Sequence, residues 1–365
     1  MENRYPHESV TQFVEEVFCR LGARRQDAGR AAEVIVTADL FDIFTHGVER
    51  VPDYYEAVRH GRIHPAAQPE ILRETPVSAL VDGHEGIGHA LAVWCMELAI
   101  RKAKESGVGI VSLRNSNHYG FAGYYPLMAI REHLIGFSVT NTEGIMVGTN
   151  SRQALLGTNP IAFGMYAEPY VFLLDMATTV IPAGKVSLYS RDGRDLERGW
   201  AVGADGRVCT DAPTVRACIN SKKTGGILPL GGEGETFGGH KGYGLGLMVE
   251  ILSGILAGGD TSNLIRRLDP WVDRNSEFFV AMDYGMFGEP AQMEAHLSDY
   301  LHTLRTAERA DPAVPIYTHG EKEQRAAEYN RAHGVLIHEK TAQKLLHVAQ
   351  ELGIDFDACR KKIQP

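Results

Sequence analysis

Apolar positions recur at helical spacing near the start of the chain. Phe13, Val14, Val17, Phe18 and Leu21 form one face, Ser9 with Gln12 reads as a capping box, and Gly22 can stop the helix. The same period predicts a second helix over 26–42 and a third over 52–60, with Pro52 in the first turn and Gly61 after the end. Past Pro65 the pattern changes. Runs at 78–81, 108–113, 135–140, 171–174 and 278–282 read as strands, and 89–106 and 123–133 as helices. Segments 200–202 and 207–209, around Ala204-Asp205-Gly206, predict a β-hairpin. The stretch 242–256 is so apolar that it predicts a helix buried all round. Helices return from Met293, including 321–333 and 340–352. The pattern gives an α/β chain with a helical domain built from 1–70 and 293–365 and a mixed region over 71–292.

Composition narrows the partners. With 44% hydrophobic and 23% charged residues in a chain of 365, a large globular core is expected, and no apolar run reaches membrane-span length. The net charge is −9 and no Lys/Arg run stands out, which argues against nucleic acid. Any anion site must therefore be local, built from a few Arg or Lys. The polar start, with Glu2, Arg4 and Glu8, does not read as a secretory leader. Cys19, Cys95, Cys209, Cys218 and Cys359 are odd in number and lack CxxC spacing, so neither a disulfide framework nor a zinc site is expected and the cytoplasm is the natural compartment. The 15 histidines are scattered, with no HxxxH pair on one helix, so no metal site is expected.

Two histidines stand in polar settings unlike the rest. His46 lies in Thr45-His46-Gly47-Val48-Glu49-Arg50, at a join between two predicted helices. His118 lies in Arg114-Asn115-Ser116-Asn117-His118-Tyr119-Gly120, at the end of a predicted strand. An imidazole moves protons near neutral pH, as carbonyl and alcohol chemistry requires. A guanidinium forks onto a carboxylate, and four residues on a helix would put His46 and Arg50 on one face. Each histidine alone also fits a loop residue bonded to backbone. No G-x-G-x-x-G, P-loop or HExxH occurs, which disfavours a standard Rossmann fold. Gly238-Gly239-His240-Lys241-Gly242 precedes the apolar helix and suits an anion, or a plain turn into the core.

Taken in order, THGVER, RNSNHYG, LLGTNPIAF, LLDMATT with the following AGK, GWAV and GGHKGYGL resemble the malate/L-lactate dehydrogenase family of the second type. That family is unrelated to the Rossmann lactate and malate dehydrogenases. The resemblance implies an NAD- or NADP-dependent oxidoreductase interconverting a 2-oxo acid and an L-2-hydroxy acid. It implies a non-Rossmann α/β fold with a largely antiparallel nucleotide-binding sheet, a helical domain from both termini, and a homodimer. By the same resemblance His46 or His118 moves the proton and Arg50 holds the substrate carboxylate. Thr142, Asp175, Met176, Ala177, Lys241, Gly320, Glu321 and Lys322 contact the dinucleotide, and Arg274 to Ser276 approach it.

The chain departs from the family pattern at Thr45, at Gly148-Thr149-Asn150-Ser151 and at His319. Malate is the favoured substrate. Lactate, sulfolactate, ureidoglycolate, diketogulonate or a cyclic imino acid are the alternatives within the family. A ligand-binding homologue without activity is the alternative outside enzymes, and the retained histidines and Arg50 argue against it.

Overall fold

The computed structural model describes residues 4–265 and 273–356. Cys359 and the rest of 357–365, expected in the helical domain, lie outside the described residues. So do residues 1–3 of the polar start.

Helix α1 (His7–Arg20) buries Val10, Phe13, Val14, Val17 and Phe18, the face that the apolar period requires. The Ser9–Gln12 capping box does not form: the helix begins at His7, no side chain caps it, and Ser9 lies within it. Pro6 holds the extended geometry of an N-cap, with φ −55 and ψ 126, so the turn starts without a side-chain acceptor. Helix α2 (Arg25–Leu40) is buried along most of its length because α1, α4 (Gly88–Ser106) and α10 (Glu321–His333) pack around it. Helix α3 (Val51–Arg59) carries Pro52 in its first turn, where the missing N–H costs nothing.

The two ends of the chain meet. Strand β1 (Arg4–Tyr5) pairs antiparallel with β13 (Val335–Leu336). Helix α10 (Glu321–His333) packs on α2, and α11 (Glu339–Leu352) packs on α1 and α3. Helix α9 (Pro290–Arg305) starts before the expected Met293. It is tied elsewhere, through Glu294 to His133 (2.7 Å) and through Ser298 to the Glu168 N–H (2.9 Å).

The main sheet has seven strands: β2 (Glu70–Glu74), β3 (Ser78–Asp82), β4 (Val108–Ser116), β5 (Ile135–Thr140), β8 (Ile161–Met165), β9 (Phe172–Met176) and β12 (Asn275–Met282). Their order is β2-β3-β4-β12-β5-β8-β9. Only β3 and β4 run parallel, joined by the crossover helix α4 (Gly88–Ser106), and every other neighbouring pair is antiparallel. This is a mixed α/β sheet of non-Rossmann topology.

Strand β12 comes late in sequence and takes the centre. Its Phe279 and Ala281 join the core that runs from the terminal helices through α4 and α5 (Tyr124–Ile130). Its Phe278 packs on the opposite face with Val139, Ile161 and Val249. Both faces are covered, which is why the strand reads as a continuous apolar run.

A second sheet, of order β10-β11-β6-β7, joins Ala201–Val202, Gly226–Ile227, Met146–Val147 and Ala154–Leu156. The predicted hairpin forms: Val202 bridges Val208 antiparallel, Gly203 N–H bonds Arg207 O (2.9 Å) and Cys209 N–H bonds Ala201 O (3.0 Å), while the other edge of β10 pairs with β11. The chain beyond Cys209 leaves for α7 (Ala212–Ser221), whose first turn Asp211 caps by accepting from Thr214 N–H at 2.9 Å. The remaining helix of this region is α6 (Ala183–Asp192).

The apolar helix also differs. Helix α8 (Gly239–Glu250) runs into a wider turn at Ile251–Ile255. Its small residues face inward, with Gly242 against the Leu230 backbone and Gly246 against Met146 and Thr178. Val249 is buried, with Leu245 and Leu252 packed beside it, but Leu247, Met248, Ile251, Ile255 and Leu256 are exposed, so the helix is not buried all round.

Candidate active site

The segment carrying His46 is not one helix. His46 closes a single 3-10 turn (Phe44–His46), Gly47 is extended, and Arg50 closes a second turn (Val48–Arg50). The expected common helical face therefore does not exist. The Arg50 guanidinium instead folds back, donating from Nε to Thr45 O at 2.9 Å and from Nη1 to Asp53 at 3.2 Å. Gly47 is required by crowding: a Cβ there would stand 2.0 Å from Oδ1 of buried Asp39, which accepts the Val48 N–H at 2.8 Å. Burial pushes the Asp39 carboxyl well above the usual range.

His118 lies in the loop two residues beyond β4. Asn117 fixes this loop by donating to Glu85 O and Gly86 O, both at 2.9 Å. Gly88 lets the start of α4 approach it, since a Cβ would lie 2.5 Å from His118 O. The His46 and His118 rings stack with centroids 5.6 Å apart. Thr45 Oγ1 is 2.9 Å from His46 Nδ1. Burial, then the Arg50 charge, lower His46 to about 4, so it is neutral near pH 7.

Two residues that the sequence did not flag complete the cluster. Tyr54 Oη is 2.8 Å from His118 Nδ1 and 3.3 Å from His89 Nε2. His89 is buried on α4, and burial followed by His46 lowers it to about 3. Tyr54 stands one turn after Arg50 on α3, a spacing that could have suggested it. His89 is hidden in an apolar helical stripe and gave no such signal.

On the far side of the loop, Asp175 accepts the Gly123 N–H at 2.8 Å. Solvent reaches it, yet crowding by protein raises its carboxyl to about 6, against the lowering effect of the Gly123 N–H. A clustered proton donor and acceptor pair beside a guanidinium is the equipment of carboxylate-substrate redox chemistry.

Most of the chain carries this pattern. A family model described as malate/L-lactate dehydrogenase matches residues 5–346. The chain belongs to this family. A malate dehydrogenase of Pyrococcus horikoshii is 38% identical over 352 residues, covering 96% of both chains. An L-sulfolactate dehydrogenase of Methanocaldococcus jannaschii is 34% identical, covering 96% of this chain and 97% of the relative. The crystal structure of malate dehydrogenase from Entamoeba histolytica superposes with a TM-score of 0.93 at 30% identity, covering 98% of this chain and 99% of that one.

The other family motifs divide between two surfaces. Met176 ends β9 and Ala177 follows, and Thr178 is held by its N–H on Thr158 O at 2.8 Å. Thr142 faces the same turn, its Oγ1 accepting from Thr158 N–H at 2.9 Å. Lys241 is exposed in the first turn of α8, and no carboxylate pairs with it among the described residues. The positive end of a 12-residue helix beside an exposed ammonium fits a phosphate-bearing group. The variant stretch at 148–151 is a turn, Ser151 N–H on Gly148 O (2.9 Å), abutting Tyr243 of α8.

Gly320, Glu321 and Lys322 open α10 on the edge strand β9. His319 O accepts the Leu173 N–H at 3.1 Å, and Gln324 exchanges bonds of 3.0 Å with the Val171 backbone. Glu321 is buried and pairs with Arg325 at 2.8 Å, while Lys322 lies over the Tyr317 ring. No contact joins these three, or Lys241, to the histidine pair among the described residues. Arg274 pairs with Glu85 at 2.7 Å, and Asn275 and Ser276 bond Asn141, which ties β12 to the end of β5. No group of three or more His, Cys, Asp or Glu side chains that could hold a metal occurs among the described residues.

Proposed function

We propose that the chain is an NAD- or NADP-dependent dehydrogenase that interconverts malate and oxaloacetate. The observation that carries the reading is His118, stacked on a neutral His46 beside Arg50. The likeness to a malate dehydrogenase at 38% identity supports malate. Bound nicotinamide supplies a hydride acceptor and donor at C4. His118 takes the hydroxyl proton in the oxidation direction and returns it in reduction. His46 fits this role less well, since its lowered pKa leaves little basicity near pH 7. It offers a neutral ring beside the substrate oxygen. Arg50 grips the C1 carboxylate with donors that Thr45 and Asp53 leave unused, a guanidinium carrying five.

Thr142, Asp175, Met176, Ala177 and Lys241 hold the dinucleotide in this reading, with Gly320, Glu321 and Lys322 closing the edge near β9. Sulfolactate is the second substrate reading, favoured by the relative at 34% identity. We also propose a homodimer, which the exposed stripe Leu247, Met248, Ile251, Ile255 and Leu256 supports. A cytoplasmic setting fits the four free cysteines of the described residues.

Oxidation of NADH and NADPH should be followed with oxaloacetate, pyruvate, sulfopyruvate and diketogulonate. Oxaloacetate should give the highest kcat/KM. A sulfopyruvate preference would move the substrate, and no oxidation with any 2-oxo acid would overturn the reading.

A further inference from the structure

Tyr54 and His89 are needed neither to fold a loop nor to hold a cofactor in the account above, yet they sit directly behind His118. His89 Nε2, Tyr54 Oη and His118 Nδ1 form one line of contacts at 3.3 and 2.8 Å, running from the α4 core to the cleft. The tyrosine hydroxyl has one proton and can give it to only one of the two rings. We propose that Tyr54 and His89 are positioning residues: His89 Nε2 accepts the Tyr54 proton, so Tyr54 Oη accepts from His118 Nδ1–H, and Nε2 is the nitrogen of His118 that exchanges the substrate proton. The inference rests on the proposed activity.

The chemistry of the proton carrier supports this direction. During turnover His118 alternates between neutral imidazole and imidazolium. The imidazolium carries a proton on Nδ1, which must find an acceptor. Tyr54 can be that acceptor only if its own proton points the other way, and His89 supplies the lone pair for it. Deep burial keeps His89 neutral, with its pKa lowered to about 3, so the lone pair persists across the working range. For the same reason His89 does not store the proton, and the relay ends at Tyr54.

The titratable groups facing His118 include His46 from the first 3-10 turn, Tyr54 from α3, and His89 from α4, with Arg50 acting on His46 and with Arg50, Asp53 and Asp273 acting on Tyr54. The Gly120 N–H also points at Nδ1, at a longer 3.4 Å, and would suit the opposite tautomer. The shorter Tyr54 contact outweighs it, since bonds near 2.8 Å are the well-formed ones. The nitrogen that carries the histidine proton is set by the bond that its other nitrogen makes.

The test uses the intact protein. Long-range 1H–15N spectra of the imidazole rings, assigned by single His→Gln variants, report the tautomer of neutral His118 without any cofactor. The expected signal is Nδ1–H for His118, and Nε2–H would overturn the proposal. Kinetics in the oxidation direction add a second readout. Tyr54→Phe and His89→Leu should each lower kcat about tenfold, the worth of one neutral hydrogen bond, with KM nearly constant. The acid limb of the kcat profile should move to lower pH, because the imidazolium has lost its acceptor. His89→Gln keeps an acceptor oxygen for Tyr54 and should recover most of the rate. Wild-type kcat and an unmoved acid limb in both Tyr54→Phe and His89→Leu would overturn the proposal. A wild-type protein without hydride transfer would instead sink the proposed activity, while the ring spectra still decide the tautomer.

Discussion

His118 and Lys241 stand at opposite extremes of the same proposed cleft. His118 is fixed by side chains that reach into the core: Tyr54 and His89 behind it, Asn117 beneath its loop, and Asp39 bracing the turns that carry His46. Lys241 stands on the outside of α8 with its ammonium in water, and Thr142 and Thr178 both bond the Thr158–Asn159 turn. On the proton-handling side Tyr54 and His89 are buried, and desolvation holds His46 and His89 neutral. The anion-handling side is exposed and relies on one ammonium and a helix end. A group that moves protons gains from a fixed tautomer, whereas a site that binds and releases a dinucleotide gains from access to solvent. Substitutions on the first side should thus damage chemistry and pH behaviour, and those on the second should damage binding alone.

The largest effect is expected at His118. His118→Asn should lower kcat by about 10² to 10⁴, the range of general acid–base help, and leave the dinucleotide Kd unchanged. Steady-state rates with a fluorescence titration check both halves, and a parallel loss of binding would erase the contrast.

Acid stability comes next. His46 and His89 are lowered from 6.5 to about 4 and about 3, so the folded state binds fewer protons than the unfolded one in that window. Stability from these two groups is complete above pH 6.5 and is lost as pH falls toward their folded values, by up to a few kcal/mol. Asp175 works oppositely: raised from 3.8 to about 6, it contributes stability below its ordinary value that is lost as pH rises through 6. Denaturant melts from pH 7 to pH 4 should therefore show a shallower acid loss in His89→Gln than in the native chain. Equal slopes would mean that His89 titrates normally.

Arg50→Lys keeps the charge but not the fork. It should cost about 1.5–3 kcal/mol in kcat/KM for 2-oxo acids. Unchanged kcat/KM would remove Arg50 from the substrate.

The smallest effect is expected at Lys241. Lys241→Ala should weaken NADH or NADPH binding about tenfold, near 1.4 kcal/mol, with no shift in Tm, since an exposed lysine adds little to stability. Equal dissociation constants would return Lys241 to a surface role.

The sequence exposed the first side better than its wiring. THGVER and RNSNHYG marked His46, Arg50 and His118, and the structure brings them together. The reason given for His46 and Arg50 was wrong, because Gly47 breaks the helix under pressure from Asp39, a contact across nine residues that no local pattern encodes. His89 was invisible because a buried histidine within Gly88-His89-Ala90-Leu91 reads as part of an apolar stripe. Strands such as Ile135–Thr140 were legible from their apolar runs, but nothing local says that β12 inserts between β4 and β5. The apolar stretch after Gly238 was legible as a helix but not as a one-sided one: Gly242, Gly246 and Val249 face inward, while Leu247, Met248, Ile251, Ile255 and Leu256 are exposed.

The central claim is hydride exchange between nicotinamide C4 and substrate C2, with His118 carrying the proton. It is tested most directly by incubating the protein with oxaloacetate and nicotinamide cofactor deuterated at C4 and reading the product by mass spectrometry. The account predicts malate carrying one deuterium at C2 when the transferred face is labelled, and none formed by His118→Asn over the same interval. Malate formed without deuterium from cofactor labelled on both C4 positions, or undiminished transfer in the variant, would contradict it.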